Sequence, residues 1–431
     1  MNKTLYASIL LCAFFSINAH GQVITTIAGD GTAGYSGDGF AAASAALHFP
    51  QSLALDGEGN LYIGDIGNNR IRMVSNSGII TTYGGNGVPG YSGDGGPASA
   101  ASLNAACMAT DAHGNLYFAD PLYNRIRKIG TDGIVSSIAG TGAAAFSGDG
   151  GPATAAAFNQ PSGITIDASG NIYVSDMGND RVRKINTSGM VSTVAGGGSS
   201  GPGDGGPAVN AQVYVPGNLT IDNSGNLYII SGYNIRKVDA SGTITTLSVK
   251  PTTLMNQPGA IAVDNSGTVY ITELSYNRVY KIDDTGKLIN VAGRGPTPYF
   301  SGDGGPATAA RLATPAGLAI APSGSIFIAD YNNNRIRYVA TANASAPATV
   351  ADISTSIYPN PGSGTFTLTV NTMVEENADV SIVDLTGQKV IEFSMITNKP
   401  LTKTITASPG IYFVVTTTRD GRRVDKLIIE H

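Results

Sequence analysis

Tryptophan is absent from the 431 residues, cysteine occurs twice and histidine four times. Without tryptophan the chain lacks the best side chain for stacking on sugars, although 19 tyrosines remain. Cys12 falls in an N-terminal apolar stretch, so Cys107 stands alone in the expected mature chain and no intrachain disulfide is expected. The histidines are His20, His48, His113 and His431. They are too scattered for a histidine-based metal centre, and no metal ligand is assigned. Charged residues make up 13%, against about a quarter in ordinary globular chains. The net charge is −5, so no basic field exists for nucleic acid. After Phe15 no apolar run is long enough to cross a bilayer as a helix. A Ser-His-Asp arrangement, a phosphate loop and a nicotinamide-binding motif are missing too, and no catalytic residue is assigned.

What the chain has is repetition. The phrase Gly59-Asn60-Leu61-Tyr62-Ile63 returns with its second residue at Asn115, Asn171, Asn226, Thr268 and Ser325. A fixed period of this size means one supersecondary unit used again and again. In the first copy, the apolar run Ser52–Asp56 leads into a Gly-rich turn. Leu61–Asp65 follows, then the alternating Arg70-Ile71-Arg72-Met73-Val74, then Ile79–Tyr83. Four short strands joined by turns, with no helix-period segment between them, predict one propeller blade. The sixth copy stops after its third strand at Val339. Val23–Gly29 reads as the missing fourth strand, which predicts a six-bladed all-β ring closed by its own N-terminal strand.

The wording of the unit resembles the NHL family. The residues that carry the resemblance are Pro161–Asp167, Gly170–Asp176 and Asn179-Asp180-Arg181-Val182. The inserted phrase Tyr91-Ser92-Gly93-Asp94-Gly95-Gly96-Pro97-Ala98 resembles the variant of teneurin propellers and secreted bacterial NHL proteins. This implies a propeller over residues 22–342 but no single chemistry, since such rings include binding scaffolds, sensors and a few lyases.

The ends differ from the ring. Residues 1–21 carry Lys3, the apolar stretch Leu5–Phe15 and small residues before Gln22, as a secretory leader does. Residues 343–352 are rich in Ala, Thr, Ser and Pro and read as a linker. Residues 353–431 contain Ile357-Tyr358-Pro359-Asn360-Pro361, Val380–Val390 and Pro409–Val415 in an order that resembles the type A sorting domain of the type IX secretion system of Bacteroidota. The resemblance implies a small Ig-like β-sandwich, recognition by that secretion machinery, and delivery to the outside or the outer cell surface.

Three groups of residues are candidates for function or stability. The second strands end in Asp65, Asp120, Asp176, Glu273 and Asp330, and five residues later stand Arg70, Arg125, Arg181, Arg278 and Arg335. The fourth unit has Ser231 in place of the acid and loses its first arginine as well, so each acid is expected to pair with that arginine across the turn. Asp38, Asp94, Asp149, Asp204 and Asp303 lie in Gly-Asp-Gly connectors, four of them preceded by Tyr35, Tyr91, Phe146 or Phe300. They read either as turn-stabilising acceptors or as an acidic rim that holds a cation such as calcium or a glycan. The connector from Lys250 to Gln257 lacks the insert, and the shortened rim predicts a notch ringed by Tyr233, Asn234, Lys250, Asn256, Gln257 and Glu273. Broken symmetry is where function is expected in a repeat protein. Cys107 aligns with Ser52, Gly163, Asn218, Ala260 and Gly317 and reads as a small filler where the inner strands converge. The expected activity is binding of an extracellular glycan or protein by a secreted ring. The alternative is a metal-assisted lyase or hydrolase at the channel mouth, and a third reading is a purely structural surface protein.

Overall fold

The computed structural model describes residues 22–199, 201–250, 255–341, 354–371, 375–384, 388–418 and 421–430. The expected leader over 1–21 and the linker over 343–352 lie outside these residues. Six four-stranded antiparallel sheets follow one another. The first is built from Pro50–Leu55, Leu61–Asp65, Arg70–Val74 and Ile80–Gly84, each strand hydrogen-bonded to the next. The sixth contains Pro315–Ile320, Ile326–Asp330 and Arg335–Val339, and its outer strand is Ile24–Ala28. Ile24 pairs with Val339 and Thr25 with Tyr338, so the first and last strands of the propeller close the ring.

Neighbouring inner strands meet all the way round: the first sheet touches the sixth and the second, and each later pair touches likewise. The core lies between the sheets. Val174 and Ile164 of the third sheet, for example, pack with Ala119 and Ile126 of the second and with Phe158 from the connector. Each Gly-Asp-Gly connector continues into a short 3-10 turn whose first alanine is buried: Ala42, Ala98, Ala153, Ala208 and Ala307. In four of these turns the preceding proline is the cap, at φ near −60° and ψ near 130°, one position before the helical start that its fixed φ suggests.

Glycines sit at the tightest points of the inner ring. A Cβ on Gly163 would lie 2.5 Å from the Gly217 carbonyl oxygen, and one on Gly317 would lie 2.4 Å from that of Gln51. Cys107 stands in the same row, fully buried, and accepts a hydrogen bond from the Asn218 side-chain amide at 3.3 Å. Burial pushes its thiol pKa up, against nucleophilic use.

The C-terminal residues form two further sheets, one from Ser354–Tyr358, Thr365–Asn371 and Leu401–Thr404, the other from Lys389–Ile396, Asn377–Val383, Gly410–Thr418 and Gly421–Ile429. Phe366, Leu368, Val380, Ile382, Val414 and Leu427 fill the space between them, as in a small sandwich. Among the described residues no helix is long and apolar enough to cross a membrane.

Candidate functional site

The acids at the ends of the second strands are fully buried, and their ion-pair partner is not the expected arginine. Asp65 stands opposite Arg70 in the strand register, yet Arg72 approaches it, at 3.7 Å. Asp176 pairs with Arg183 at 3.2 Å and Asp330 with Arg337 at 3.3 Å. The expected pairs Asp65–Arg70, Asp120–Arg125, Asp176–Arg181, Glu273–Arg278 and Asp330–Arg335 are absent among the described residues. Three of these carboxylates are already engaged by other donors. Asp65 already accepts the His48 backbone N–H and the Asn68 amide, both at 2.7 Å. Asp176 and Asp330 repeat this with Asn159 and Asn179, and with Ala313 and Asn333. The first arginine turns instead to backbone carbonyls: Arg70 to Asn68 and Asn86, Arg125 to Gly140 and Thr141. Burial pushes the Asp65 and Asp330 carboxyls up to about 6, despite hydrogen bonds and a nearby arginine that act the other way.

In five of the six sheets the second arginine is the hub of the upper end. Arg72, Arg127, Arg183 and Arg337 have no exposed surface. They reach the connector carboxylates Asp38, Asp94, Asp149 and Asp303 at 2.6–2.7 Å, and Arg236 reaches Asp204 at 3.0 Å. Asp38 also accepts from the Tyr35 and Thr82 hydroxyls. Partial burial would raise the Asp38 carboxyl, but the bonds from Thr82, Tyr35 and Arg72 outweigh it and hold the pKa below the usual value; Asp94 is held down in the same way. The rim carboxylates are therefore engaged inside the fold. The aromatic residues of the connectors are engaged too, each ring contacted by a pair of guanidinium groups. Tyr35 lies 3.9 Å from Arg70 and 4.9 Å from Arg72, and Phe300 3.9 Å from Arg335 and 4.8 Å from Arg337.

The sequence carried a signal for this pairing. The connector before the fifth sheet has no Gly-Asp-Gly, and the fifth sheet has Tyr280 where the others have their second arginine. Acid and base are missing from the same unit. Glu273, the fifth sheet's buried acid, is served by three backbone N–H groups, those of Asn256, Gln257 and Tyr276.

The second sheet departs from the others differently. Leu103 and Cys107 are four residues apart, where Leu47 and Ser52, Phe158 and Gly163, and Leu312 and Gly317 are five apart. Tyr123 stands where Asn68, Asn179 and Asn333 donate an amide. No hydrogen bond of good geometry reaches either oxygen of Asp120, although the Tyr123 and Asn104 backbone N–H groups lie close enough to favour its ionised form. Burial pushes its carboxyl up to about 7, with Arg127 as the main opposing charge.

A notch opens beside the fourth sheet. Its outer strand covers only Ile244–Thr246, which pairs with Val238, Lys237 and Arg236. In the third sheet the corresponding strand continues upward to cover Val182 and Arg181. Ser231 and Asn234 are opposed across a two-residue turn with Gly232 at φ 58°, in place of the four-residue turns elsewhere. Together these leave a cavity of about 560 Å³ lined by Gln212, Tyr214, Val215, Ser231, Tyr233, Asn234, Arg236, Thr246 and Gln257, with Pro202, Gly232 and Pro258. Tyr233 is 68% and Tyr214 61% exposed. The Tyr214 ring lies 3.5 Å from the point a Cβ on Gly232 would occupy, so it borders the turn that carries Tyr233.

Tyr214 is held from two sides. Where its counterparts meet a carboxylate that can only accept, the Ser231 hydroxyl accepts from the Tyr214 N–H at 2.9 Å and donates to the Tyr214 carbonyl at 3.0 Å. The next residue, Val215, sits in the left-handed region at φ 42°, and its N–H is bound by Asp180 of the third sheet at 2.7 Å. Of the six residues expected around the notch, Tyr233, Asn234 and Gln257 line it. Glu273 is buried and holds the backbone of Asn256 and Gln257, while the Asn256 amide reaches the Ser275 hydroxyl. Lys250 is bridged to Lys287 and is not part of the lining. Tyr214 was not anticipated, although it is an aromatic at a position held elsewhere by His48, Asn159 and Ala313.

The central channel encloses about 480 Å³ and is lined by the inner strands, with Gln51, Ser52, Ser162, Thr165, Asn218 and Thr220 as its polar side chains. Among the described residues no three His, Cys, Asp or Glu side chains converge as metal ligands would.

A family model described as the teneurin NHL domain matches residues 141–202, 197–259 and 249–340. One described as a secretion system C-terminal sorting domain matches residues 356–430. Curated relatives include teneurin-1 of Gallus gallus, 28% identical over 237 residues, which are 46% of this chain and 9% of that protein. Teneurin-4 of Homo sapiens is 28% identical over 283 residues, 54% of this chain and 10% of its own. The chain thus spans about a tenth of the curated relatives it matches. Among solved structures, a protein of unknown function from Bacteroides thetaiotaomicron aligns with a TM-score of 0.54 at 18% identity, covering 74% of this chain and 76% of its own. An auxiliary nutrient binding protein from the same organism aligns with a TM-score of 0.54 at 14% identity and the same coverage. These likenesses show the fold. Over residues 141–340 the ring is similar to the teneurin NHL domain, and the sorting domain over residues 356–430 indicates export to the outside or the outer cell surface.

Proposed function

We propose that this NHL-repeat ring, similar to that of the teneurins and delivered to the outer surface by its sorting domain, is an extracellular binding module with its ligand seat in the notch beside the fourth sheet. One observation carries the reading. Other sheets set each connector aromatic against two arginines, with Tyr35 43% and Phe146 42% exposed. This place leaves two tyrosines 61% and 68% exposed at the lip of a cavity, with no arginine of the described residues on either ring, and the backbone at one of them is fixed by hydrogen bonds to Ser231 and Asp180. The cavity is of the size of small-ligand sites, about 300–1,000 Å³. The Ser231 bonds to the Tyr214 backbone and the Asp180 bond to Val215 fix the main chain that carries Tyr214 before any ligand arrives, which lowers the ordering cost of binding. The rest of the ring serves as the frame.

The experiment is a thermal-shift screen of the full chain against extracellular glycans and host or bacterial surface proteins, followed by calorimetry. A ligand that binds the native state must raise the midpoint by mass action. A midpoint rise abolished by a double Tyr214→Ala, Tyr233→Ala substitution supports the seat. Ligands that bind equally well to the double variant place the function elsewhere on the ring, and a full panel without effect leaves a structural role as the better account.

A further inference from the structure

We infer that the notch takes a neutral oligosaccharide, its sugar rings laid against Tyr214 and Tyr233; this deepens, and depends on, the reading of the notch as the ligand seat. The argument is one of chemical matching. Tyr214 and Tyr233 line the cavity and are 61% and 68% exposed, and a sugar ring offers an aromatic surface its axial C–H groups while keeping its hydroxyls to the side. The lining behind them supplies amides and hydroxyls: Gln212, Asn234, Gln257, Ser231 and Thr246. These groups donate and accept without carrying charge, which suits a ligand whose polar groups are hydroxyls.

The charges point the same way. Among the described residues of the lining, Arg236 is the one ionised side chain. It is 4% exposed and already committed to Asp204 at 3.0 Å and to the Gln212 and Pro202 carbonyls. It cannot turn to an acidic sugar without breaking that pair. Glu273, the nearest carboxylate beneath Gln257, is used up by three backbone N–H groups. Among the described lining residues no side chain offers a free charge; the exposed carboxylate at the edge is Asp180, held by the Val215 N–H. The lining is more apolar than polar, with the amides and hydroxyls set among apolar surface, so an aromatic or aliphatic anchor of a protein partner is the competing occupant that the experiment must separate from a sugar.

Calorimetry and saturation-transfer NMR on the full chain, with neutral oligosaccharides of several backbones beside uronic-acid oligosaccharides, test the inference. Neutral ligands should bind, and raising salt from 50 to 500 mM should leave their affinity within twofold, because no ion pair forms. Tyr214→Ala and Tyr233→Ala should each weaken binding by about three- to tenfold, and Tyr233→Phe should keep most of it. Both side chains are exposed, so melting midpoints of the variants should match the parent and exclude unfolding as the cause. Salt-sensitive binding that prefers the acidic oligosaccharides overturns the neutral class. Neutral glycans that bind the alanine variants unchanged overturn the site but leave the chain a glycan binder. A protein that engages the notch while every glycan is inert overturns the ligand class and leaves the seat standing. If nothing engages the tyrosines, both this inference and the reading it rests on fall.

Discussion

Arg183, with no exposed surface, donates to Asp149 at 2.7 Å on one side and lies 3.2 Å from the buried Asp176 on the other. A single guanidinium thus ties the connector to the end of the second strand. Arg183→Met should lower stability by about 3–5 kcal/mol, because it strands the Asp176 charge. Asp149→Ala should cost less, since that carboxylate is 35% exposed. In a double-mutant cycle read by melting midpoint, Asp176 and Arg183 should couple strongly, while Asp176 and Arg181 should be close to additive. Coupling in the second cycle instead of the first would return the pairing to the one expected from sequence.

Asp120 should make stability fall as pH rises. Its carboxyl is pushed up to about 7 in the fold from an ordinary value of 3.8. Below pH 4 both states hold the proton and the group is neutral to stability. Between about 4 and 7 the unfolded chain ionises first, so stability is lost across that window. Asp120→Asn should raise the midpoint at pH 8 by an amount worth about 1–3 kcal/mol and flatten the profile up to pH 7. A residual slope ending near pH 6 should remain from Asp65 and Asp330. A variant less stable than the parent at pH 8 would mean that the carboxylate has a donor in solution.

The inner ring should tolerate no bulk at Gly163. Gly163→Ala places a Cβ 2.5 Å from the Gly217 carbonyl oxygen, whereas Gly217→Ala meets Ile230 at an ordinary 3.6 Å. The first should cost at least about 1–3 kcal/mol and the second little. Equal midpoints for the two variants would show that the inner strands can spread.

Ser231→Ala removes both bonds to the Tyr214 backbone. A stability loss of about 1–2 kcal/mol is expected, with weaker ligand binding although Ser231 itself need not touch the ligand. Unchanged affinity would mean that Tyr214 is positioned by Asp180 and Val215 alone.

Deleting residues 354–430 should abolish delivery to the outer surface in the native host, with the ring retained inside the envelope, as fractionation and surface proteolysis would show. Normal surface display of the truncated chain would assign delivery to another part of the protein.

The ring was legible because its information is local and repeated. Strand lengths and turn residues recur in register, and the one long-range pairing, Val23–Gly29 with the sixth unit, is implied by the missing fourth strand. The ion pairs were harder. The joint loss of acid and first arginine in the fourth unit suggested Asp176–Arg181, but a carboxylate's remaining lone pairs depend on N–H groups that only the folded connector brings. The pairing of Asp149 with Arg183 spans 34 residues, and its trace in the sequence is Tyr280 in the one unit without Gly-Asp-Gly. The notch was readable as a place where symmetry fails. Tyr214 was not, because its exposure depends on how soon the outer strand Ile244–Thr246 ends.

The closing strand has a mechanical consequence. A chain tethered through its C-terminal end pulls on the ring at Val339, the last residue of Arg335–Val339. That strand lies between Ile326–Asp330 and Ile24–Ala28, bonded to both. Load therefore enters along the strand axis and is shared by two ladders in shear, rather than peeling an edge strand bond by bond. Shear flow acting on such a tether is resisted first at the one seam where the two ends of the ring meet.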